Sequence, residues 1–371
     1  MGPSHFSLLL ILAGCWEALG AEHYSNSPVC NTTLSNGSFP WTHYRLPTSV
    51  VPEHYYIYIH PDLNTKTVTG YVQILIEALN DTSYIVLNGK NLTITGAFLK
   101  ELSPNYQRKR LALHVLESVP TEQLAFISEI PLVAGRKYQL SVRFCATLSN
   151  SFSGVYRASY WTKNGISRMI AATHFEPTSA RKAFPCFDEP NMKAVFSVVI
   201  VRDYNRKAIS NMPKVSTRTR GDGLLEDHFC HSVRMSSYLV AFVVNDFSSN
   251  STKSKTGTEV SIFAPRDQIN QTRYALQAAV KILEFFEEYF QIPYPLPKID
   301  LVAIPDFEAG AMENWGLITY RETSLLYDPH TSSPHSKLWV TLVTAHELAH
   351  QAKFENPYKS ICSTLQKSYI V

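Results

Sequence analysis

The chain has 371 residues, of which 45% are hydrophobic and 18% charged, a balance that supports buried cores and excludes a mainly disordered protein. That length leaves room for two or three domains of about 100–200 residues each. The formal net charge is only +3 and no run of like charges occurs, so the composition gives no indication of a nucleic-acid partner.

Residues 1–20 are predicted to form a secretory signal peptide. An apolar run from Phe6 to Trp16 precedes the small residues Ala18 and Gly20, whose spacing predicts cleavage after Gly20. The run is shorter than the ~20 apolar residues of a membrane span. Because its amino-terminal end lacks Lys and Arg, an uncleaved membrane anchor and a buried segment are the alternatives.

Glycosylation and cysteine usage are consistent with a luminal or secreted protein. Without Cys15, five of the six cysteines remain and none forms a CxxC pair, which allows one unassigned disulfide and gives no cysteine zinc site. Asn-x-Ser/Thr triplets predict glycosylation at Asn31, Asn36, Asn80, Asn91, Asn250 and Asn270.

The first half of the mature chain is predicted to be rich in β-strands. Residues 21–44 are polar and are interpreted as a tether, and residues 45–262 as a β-rich amino-terminal domain. Alternating apolar residues and intervening Asn-Gly and Asp-Gly turns predict an antiparallel domain. The predicted strands cover 54–60, 68–76, 83–87, 123–126, 137–144, 194–201 and 236–244.

The pattern changes after Pro265 to one that mixes helices and strands. Apolar residues at helical spacing predict an amphipathic helix over 272–290. Two strands are predicted at 300–304 and 316–320. A second, more apolar helix is predicted over 336–353, with Ser336 as its N-cap.

This second helix contains the pattern H-E-x-x-H as His346-Glu347-Leu348-Ala349-His350. Histidines at positions i and i+4 lie on one helical face, so both imidazoles can reach one ion. Glu347 is then placed to take a proton from a zinc-bound water, whose pKa the metal lowers toward ~7. The alternative interpretation is a buried helix with two histidines that bind nothing.

A second motif, Gly310-Ala311-Met312-Glu313-Asn314, precedes the histidines. In this order, the two motifs resemble those of the gluzincin zinc aminopeptidases. The flanking residues 304–307 and 315–322 are similar to the oxytocinase subgroup, which includes the endoplasmic reticulum aminopeptidases that trim antigenic peptides. The resemblance extends from about Phe39 to Gln351 and includes Phe-Pro-Cys-Phe-Asp-Glu-Pro at 184–190.

The resemblance implies an α+β fold: a large, saddle-like antiparallel β domain, followed at 263–353 by part of a thermolysin-like α/β peptidase domain. It also implies zinc as cofactor, peptides as substrates and the endoplasmic reticulum lumen or the outside of the cell as location. His346 and His350 are then zinc ligands and Glu347 is the catalytic base.

The resemblance further assigns the residues that hold the substrate. Glu313 and Glu176 are expected to bind the substrate's free amine, which makes cleavage amino-terminal, although Glu176 taken alone, without the resemblance, is better interpreted as a surface loop acid. His174 is expected to shape the pocket for the first side chain, where relatives carry Gln or Asp. Four more residues are expected to contact the amino-terminal part of the substrate: Gly310, Ala311, Met312 and Asn314.

The sequence departs from the family after Gln351. The family's third zinc ligand is a Glu nineteen positions after the second His, where this chain has Tyr369. The one acid beyond His350 is Glu355, about 140° around the helix from the histidines. Residues 354–371 are therefore interpreted as a divergent tail, arising from splicing or a gene-model error. The alternative function is a catalytically inactive luminal isoform that binds or modulates a full-length aminopeptidase.

Overall fold

The computed structural model describes residues 34–102 and 110–351, all within one compact unit, Thr32–Val371. The predicted signal peptide, Asn31 and the divergent tail, with Glu355 and Tyr369, lie outside the described residues.

In the described part of the chain, strands follow one another through the first two thirds, and the helices come later. The strands are β1 (Val50–Asp62), β2 (Thr67–Ala78), β3 (Thr82–Asn88), β4 (Thr93–Glu101), β5 (Leu111–Ala112), β6 (His114–Ser118), β7 (Gln123–Leu132), β8 (Lys137–Thr147), β9 (Gly154–Trp161), β10 (Ser167–His174), β11 (Val195–Arg202), β12 (Lys207–Ser210), β13 (Lys214–Thr219), β14 (Leu225–Phe229), β15 (Phe242–Asn245), β16 (Ser248–Lys253), β17 (Glu259–Ala264), β18 (Lys298–Ile304), β19 (Ala311–Met312) and β20 (Leu317–Arg321). The α-helices are α1 (Arg273–Phe290), α2 (Glu322–Leu325) and α3 (Pro334–Gln351).

Three sheets make up the β-rich part. An eight-stranded sheet has the order β13-β14-β11-β1-β2-β8-β4-β5, and its pairings are antiparallel except between β1 and β11. A four-stranded sheet has the order β12-β15-β10-β9, and a three-stranded sheet the order β3-β7-β6. Along β2 the even-numbered positions from Val68 to Ala78 are buried, as the alternating pattern predicts.

The remaining five strands form a mixed sheet in the order β16-β17-β18-β20-β19. β17, β18 and β20 run parallel, and every residue of β18 is buried, as is typical of a central parallel strand covered on both faces. In this sheet, β16 lies before the predicted domain boundary at 262/263 and β17 crosses it. The boundary itself stays a prediction. The predicted α+β class is confirmed.

Three local predictions need correction. Helix α3 begins at Pro334 and not at Ser336, because proline fits the first helical position and the Ser333 hydroxyl accepts the Ser336 N–H at 3.1 Å. The strand predicted at 236–244 is a 3-10 turn, Ser237–Leu239, followed by β15, because the Ser237 hydroxyl donates to Asp188 at 2.8 Å. β20 starts after Gly316, whose φ of 77° is left-handed.

Helix α3 exposes apolar side chains next to the two histidines. Leu338, Trp339 and Leu342 are 55%, 44% and 54% exposed, on the side of the helix that also exposes His346 and His350. The opposite side packs on α1 and the mixed sheet. Within the described residues, no helix combines the length and apolarity that crossing a bilayer requires.

Candidate active site

The two histidines of α3 present the same ring nitrogen toward each other. Their Nε2 atoms lie 3.2 Å apart, and their ring centroids are 4.8 Å apart at an interplanar angle of 76°. Val340 and Leu348 are buried on the other side of the helix and fix its orientation. The helix therefore presents both imidazoles outward from a rigid base.

This pair fits two corners of a tetrahedral zinc site. Two nitrogens at the usual Zn–N distance of about 2.0–2.1 Å would be roughly 3.3–3.4 Å apart, close to the observed 3.2 Å. A catalytic zinc usually takes three protein ligands, and no cluster of three His, Cys, Asp or Glu side chains within 34–102 and 110–351 could hold a metal. The described residues thus supply two ligands of the set.

Glu347 lies between the histidines in sequence but points into the protein. It is 5% exposed, and its Oε2 atom has no hydrogen-bond partner among the described residues. Burial raises the pKa of Glu347 to about 8, and the charges of Glu313 and Glu176 contribute to the shift. A carboxyl group tuned toward neutral pH suits a general acid–base.

Glu313 lies in the loop between the paired strands β19 and β20. Ala311 and Met312 pair with Tyr320 and Thr319, and this short ladder precedes Glu313 directly. A Cβ at Gly310 would meet only Ser324 Oγ, at 4.0 Å, so the backbone there borders open space. The predicted role of Gly310 and Ala311, close approach of a substrate backbone, is compatible with this opening.

Glu176 follows β10 and approaches the same place from the β-rich part of the chain. Its pKa is raised by burial and then by the charge of Glu313, while His350 acts in the opposite direction. Charged groups after β10, in the Glu313 loop and on α3 therefore interact electrostatically. The structure brings together residues that are up to 174 positions apart in sequence, since Glu176 senses His350.

His174, at the end of β10, packs edge-on against Phe307, with ring centroids 5.2 Å apart. Burial lowers the pKa of His174, and the nearby charges of Glu308 and Glu313 oppose that shift. The residue predicted to shape the first side-chain pocket thus lies beside an aromatic wall close to Glu313.

Two residues near these acids were not predicted from the sequence. Tyr238, in the 3-10 turn before β15, has its pKa raised by burial and by the charges of Glu313 and Glu176. Gln351, the last residue of α3, donates from Nε2 to the carbonyl oxygen of Glu313 at 2.9 Å. Tyr238 lies within the strand predicted at 236–244, where an aromatic residue does not indicate a site. Gln351 could have been found, because it directly follows the H-E-x-x-H pattern.

Polar contacts fix the Glu313 loop to the β-rich part. Asn211 Nδ2 donates to the carbonyl oxygens of Leu239 and Trp315, both at 2.8 Å, and so links the 3-10 turn to the loop. A Cβ at Gly316 would lie 2.1 Å from the Asn211 carbonyl oxygen, so only glycine fits. Asn314 is buried, with its Nδ2 atom 3.4 Å from the same Leu239 carbonyl oxygen.

Comparison with known families agrees with this arrangement. Residues 51–239 match the peptidase M1 N-terminal domain, and residues 274–353 match the peptidase family M1 domain. The chain is 51% identical over 327 residues to endoplasmic reticulum aminopeptidase 1 of Mus musculus, an alignment that covers 88% of this chain and 35% of that protein.

Two further relatives give the same result. Endoplasmic reticulum aminopeptidase 2 of Homo sapiens is 50% identical over 331 residues, covering 89% of this chain and 34% of that protein. Glutamyl aminopeptidase of Bitis rhinoceros is 40% identical over 331 residues, covering 88% and 34%. The chain spans about a third of the length of these relatives, and it belongs to peptidase family M1.

Proposed function

We propose that this chain carries the substrate amino-terminus site of a zinc aminopeptidase, in which Glu313 and Glu176 bind the free amine of a peptide. The relatives named aminopeptidase support this assignment. Peptides are the proposed ligands, with antigenic peptides as one class among them. The whole-enzyme activity is a proposal here, because the chain matches about a third of each relative.

The main support for the proposal is that three neighbouring carboxylates have no cationic partner in the described part of the chain. The charge of Glu313 raises the pKa of Glu176 and of Glu347, to which Glu176 also contributes, yet none of the three acids has an ion-pair partner among the described residues. Elsewhere, buried acids are neutralised: Asp188 pairs with Arg181 at 2.9 Å, and Asp300 pairs with Lys298 at 2.6 Å. A substrate ammonium would supply the missing positive charge.

The roles follow from this electrostatic arrangement. Two carboxylates around one ammonium form charge-assisted hydrogen bonds, which are about twice as strong as neutral ones. Fixing the amine fixes where the first peptide bond lies, so cleavage is limited to one residue from the amino terminus. His174 and the adjacent Phe307 ring are proposed to contact the first side chain.

Hydrolysis is proposed to use Glu347 as the general base beside His346 and His350, which would hold the zinc. When bound, zinc would supply Lewis-acid polarisation and an acidic water. A third ligand is expected to be required, and Tyr369, at the position of the family's third ligand, is a poor candidate, because a phenol with a pKa of ~10 is a rare zinc ligand. We therefore propose weak metal binding and little turnover for this chain alone.

Binding and turnover can be tested separately on the full chain expressed through the secretory pathway. Calorimetry should show that a peptide with a free amino terminus binds better than its N-acetylated form. Glu313→Gln should remove this preference, with a loss of about 10- to 100-fold for 1.5–3 kcal/mol of charge-assisted bonding. The exposed Glu129→Gln, 85% exposed in its side chain, is the matched control.

A fluorogenic aminoacyl substrate and zinc analysis by mass spectrometry then report catalysis. Stoichiometric zinc with chelator-sensitive turnover would support an active enzyme, whereas binding without turnover would support a peptide-binding module. Equal affinity for free and acetylated peptides would contradict the proposed function.

The alternative proposal is an inactive isoform that binds or modulates a full-length aminopeptidase. Its support is the apolar face formed by Leu338, Trp339 and Leu342 beside the histidines, since exposed apolar patches commonly mark interaction sites. Co-purification with a tagged full-length relative, lost in Leu342→Gln and kept in the exposed Leu79→Gln, would favour this alternative.

A location in the secretory pathway, in the endoplasmic reticulum lumen or secreted, is proposed from the signal-like segment, the glycosylation triplets and the names of the relatives. Asn36, Asn80, Asn91 and Asn270 are exposed and suit glycan attachment. Asn250 is a poorer acceptor, because its Nδ2 donates to Thr272 Oγ1 at 2.9 Å and to the Ile269 carbonyl oxygen at 3.2 Å. Glycopeptide mass spectrometry would decide each position.

A further inference from the structure

The side-chain amide of Gln351 links the last turn of α3 to the loop that carries Glu313. The residue is fully buried, at 0% exposed. Its Nε2 donates to the carbonyl oxygen of Glu313 at 2.9 Å and approaches that of Asn314 at 3.4 Å. Its Oε1 accepts from the Gly316 N–H at 3.3 Å and from the Tyr294 hydroxyl at 3.4 Å. The donor and the acceptor of one amide thus contact three residues of the same loop, Glu313, Asn314 and Gly316.

The contact between Gln351 and Glu313 connects the histidines of α3 to the loop that carries Glu313. Gln351 directly follows His350, so its backbone moves with the histidines of α3. Its partner, Glu313, is the residue whose carboxylate is proposed to hold the substrate amine. The paired part of β19 ends at Met312, one residue before Glu313. The distance between the Glu313 backbone and α3 is therefore set in large part by the Gln351 side chain.

We propose that Gln351 is a positioning residue, which fixes the distance between the amine anchor Glu313 and the metal-ligating face of α3. The inference rests on the proposed role of Glu313. An exopeptidase needs that distance to match one residue of substrate, and displacements of about 1 Å at such sites cost on the order of 100-fold in rate. The far end of the loop, at Trp315, is held separately by Asn211.

The test uses the full chain with Gln351→Met, which keeps the length and packing of the side chain and removes its hydrogen bonds. Binding of a free-amine peptide should weaken about tenfold, the effect of losing one to two hydrogen bonds that hold the anchor. Binding of the N-acetylated peptide should stay unchanged. The Gly316 amide should also exchange its hydrogen faster, because it loses its acceptor.

Gln351→Asn provides a second variant, since it keeps the amide and shortens its reach by one methylene, about 1.5 Å. It should also lose free-amine preference. Tyr294→Phe is the control: it removes one partner of Gln351 without freeing the Glu313 carbonyl, and it should retain the preference. Circular dichroism and thermal unfolding establish that each variant is folded before binding is compared.

The outcomes separate this inference from the proposed function. If the wild type and both Gln351 variants prefer the free amine equally, the positioning role is wrong and Glu313 remains the anchor. If the wild type itself has no preference, and Glu313→Gln changes nothing, both the anchor and its positioning are wrong. Loss of preference in Gln351→Met, with wild-type affinity for the acetylated peptide, supports the inference.

Discussion

The molecule contains two clusters of ionisable side chains that are built in opposite ways. In the eight-stranded sheet, His54 and His231 flank the Ser197 hydroxyl, which lies 2.6 Å from His54 Nε2 and is hydrogen-bonded to His231 Nδ1. On α3, His346 and His350 face each other without a residue between them. The ring centroids are 5.2 Å apart in the first pair and 4.8 Å apart in the second, so distance alone does not distinguish them.

What distinguishes the clusters is whether their polar atoms already have partners. The first pair is partly buried and shares the Ser197 hydroxyl, and His54 also stacks on Tyr56 with ring centroids 4.2 Å apart. The second pair is exposed and lies beside carboxylates that have no cation in the described residues. Satisfied groups stabilise a fold, while unsatisfied convergent groups are the usual sign of a ligand site. The comparison assigns a structural role to the sheet cluster and a binding role to the α3 cluster.

The largest expected difference concerns two acids, Asp227 on β14 of the eight-stranded sheet and Glu176 beside the α3 cluster. Asp227 is fully buried and is held by Arg202 and by Thr217, whose hydroxyl donates at 2.6 Å. Asp227→Asn leaves Arg202 without its counter-ion and should destabilise the chain by about 3–5 kcal/mol. Glu176→Gln should be neutral or slightly stabilising without ligand, because it removes an acid whose pKa is raised first by burial and then by the charge of Glu313.

Urea unfolding of the two variants at pH 7, in the presence of a chelator, measures this contrast. A destabilisation by Glu176→Gln as large as that of Asp227→Asn would remove the distinction between a paired acid of the sheet and an unpaired acid of the candidate site.

The second test concerns zinc. His346→Gln and His350→Gln should each weaken zinc binding by at least about 100-fold, because even an outer-shell partner of a ligand contributes about 10–100-fold. His54→Gln and His231→Gln should leave zinc binding unchanged, since their nitrogens are occupied by Ser197. Competition with a colorimetric chelator measures the affinities. Zinc lost equally from the His54 variant would contradict the assignment.

The third test measures how the stability of the chain depends on pH through the sheet histidines. Burial lowers the pKa of His54 from 6.5 to about 3, with the neighbouring His231 contributing, and burial also lowers the pKa of His231. The unfolded chain therefore binds more protons than the folded one between about pH 6.5 and pH 3, and stability falls as the pH falls through this window. His54→Gln should reduce the loss of stability between pH 6.5 and pH 4 by about 1–3 kcal/mol.

His114→Gln is the control for the acid test, because the His114 side chain is 63% exposed. Unfolding by urea at pH 6.5 and pH 4 gives the two stabilities for each variant. An unchanged acid sensitivity in His54→Gln would show that the sheet cluster does not resist protonation.

Much of this arrangement was predictable from sequence, because local patterns determine local structure. Alternation along β2 gives a strand whose buried face matches the prediction, and helical spacing in α1 places Ala279 and Leu283 in the core, whereas Tyr289, at the end of the predicted face, is exposed. The spacing of His346 and His350 predicts that their nitrogens converge, and they do, at 3.2 Å. These features depend on residues within a few positions of one another.

Contacts between distant segments were not predictable in the same way. The strand expected at 236–244 begins as a 3-10 turn because Ser237 bonds to Asp188, 49 positions earlier. That bond is invisible to a pattern of apolar residues. The same turn brings Tyr238 near Glu313 and Glu176, so one long-range contact explains both the wrong strand boundary and the missed site residue.

The smallest expected effect tests this missed residue. Burial and the charges of Glu313 and Glu176 raise the pKa of Tyr238, so its hydroxyl stays protonated at neutral pH and can donate toward an acceptor in the site. Tyr238→Phe keeps the ring and removes that donor. Affinity for a free-amine peptide should fall by about 2- to 10-fold, which corresponds to one net hydrogen bond of 0.5–1.5 kcal/mol.

Tyr160→Phe is the matched control, because the Tyr160 hydroxyl donates to Asp246 at 2.7 Å, and its predicted effect is confined to stability. Calorimetric titration with the free and acetylated peptides separates the two variants. If Tyr238→Phe binds both peptides as the wild type does, the hydroxyl has no part in the site. Recognition of the amine would then rely on Glu313 and Glu176 alone, and the 3-10 turn would serve only to anchor the Glu313 loop through Asn211.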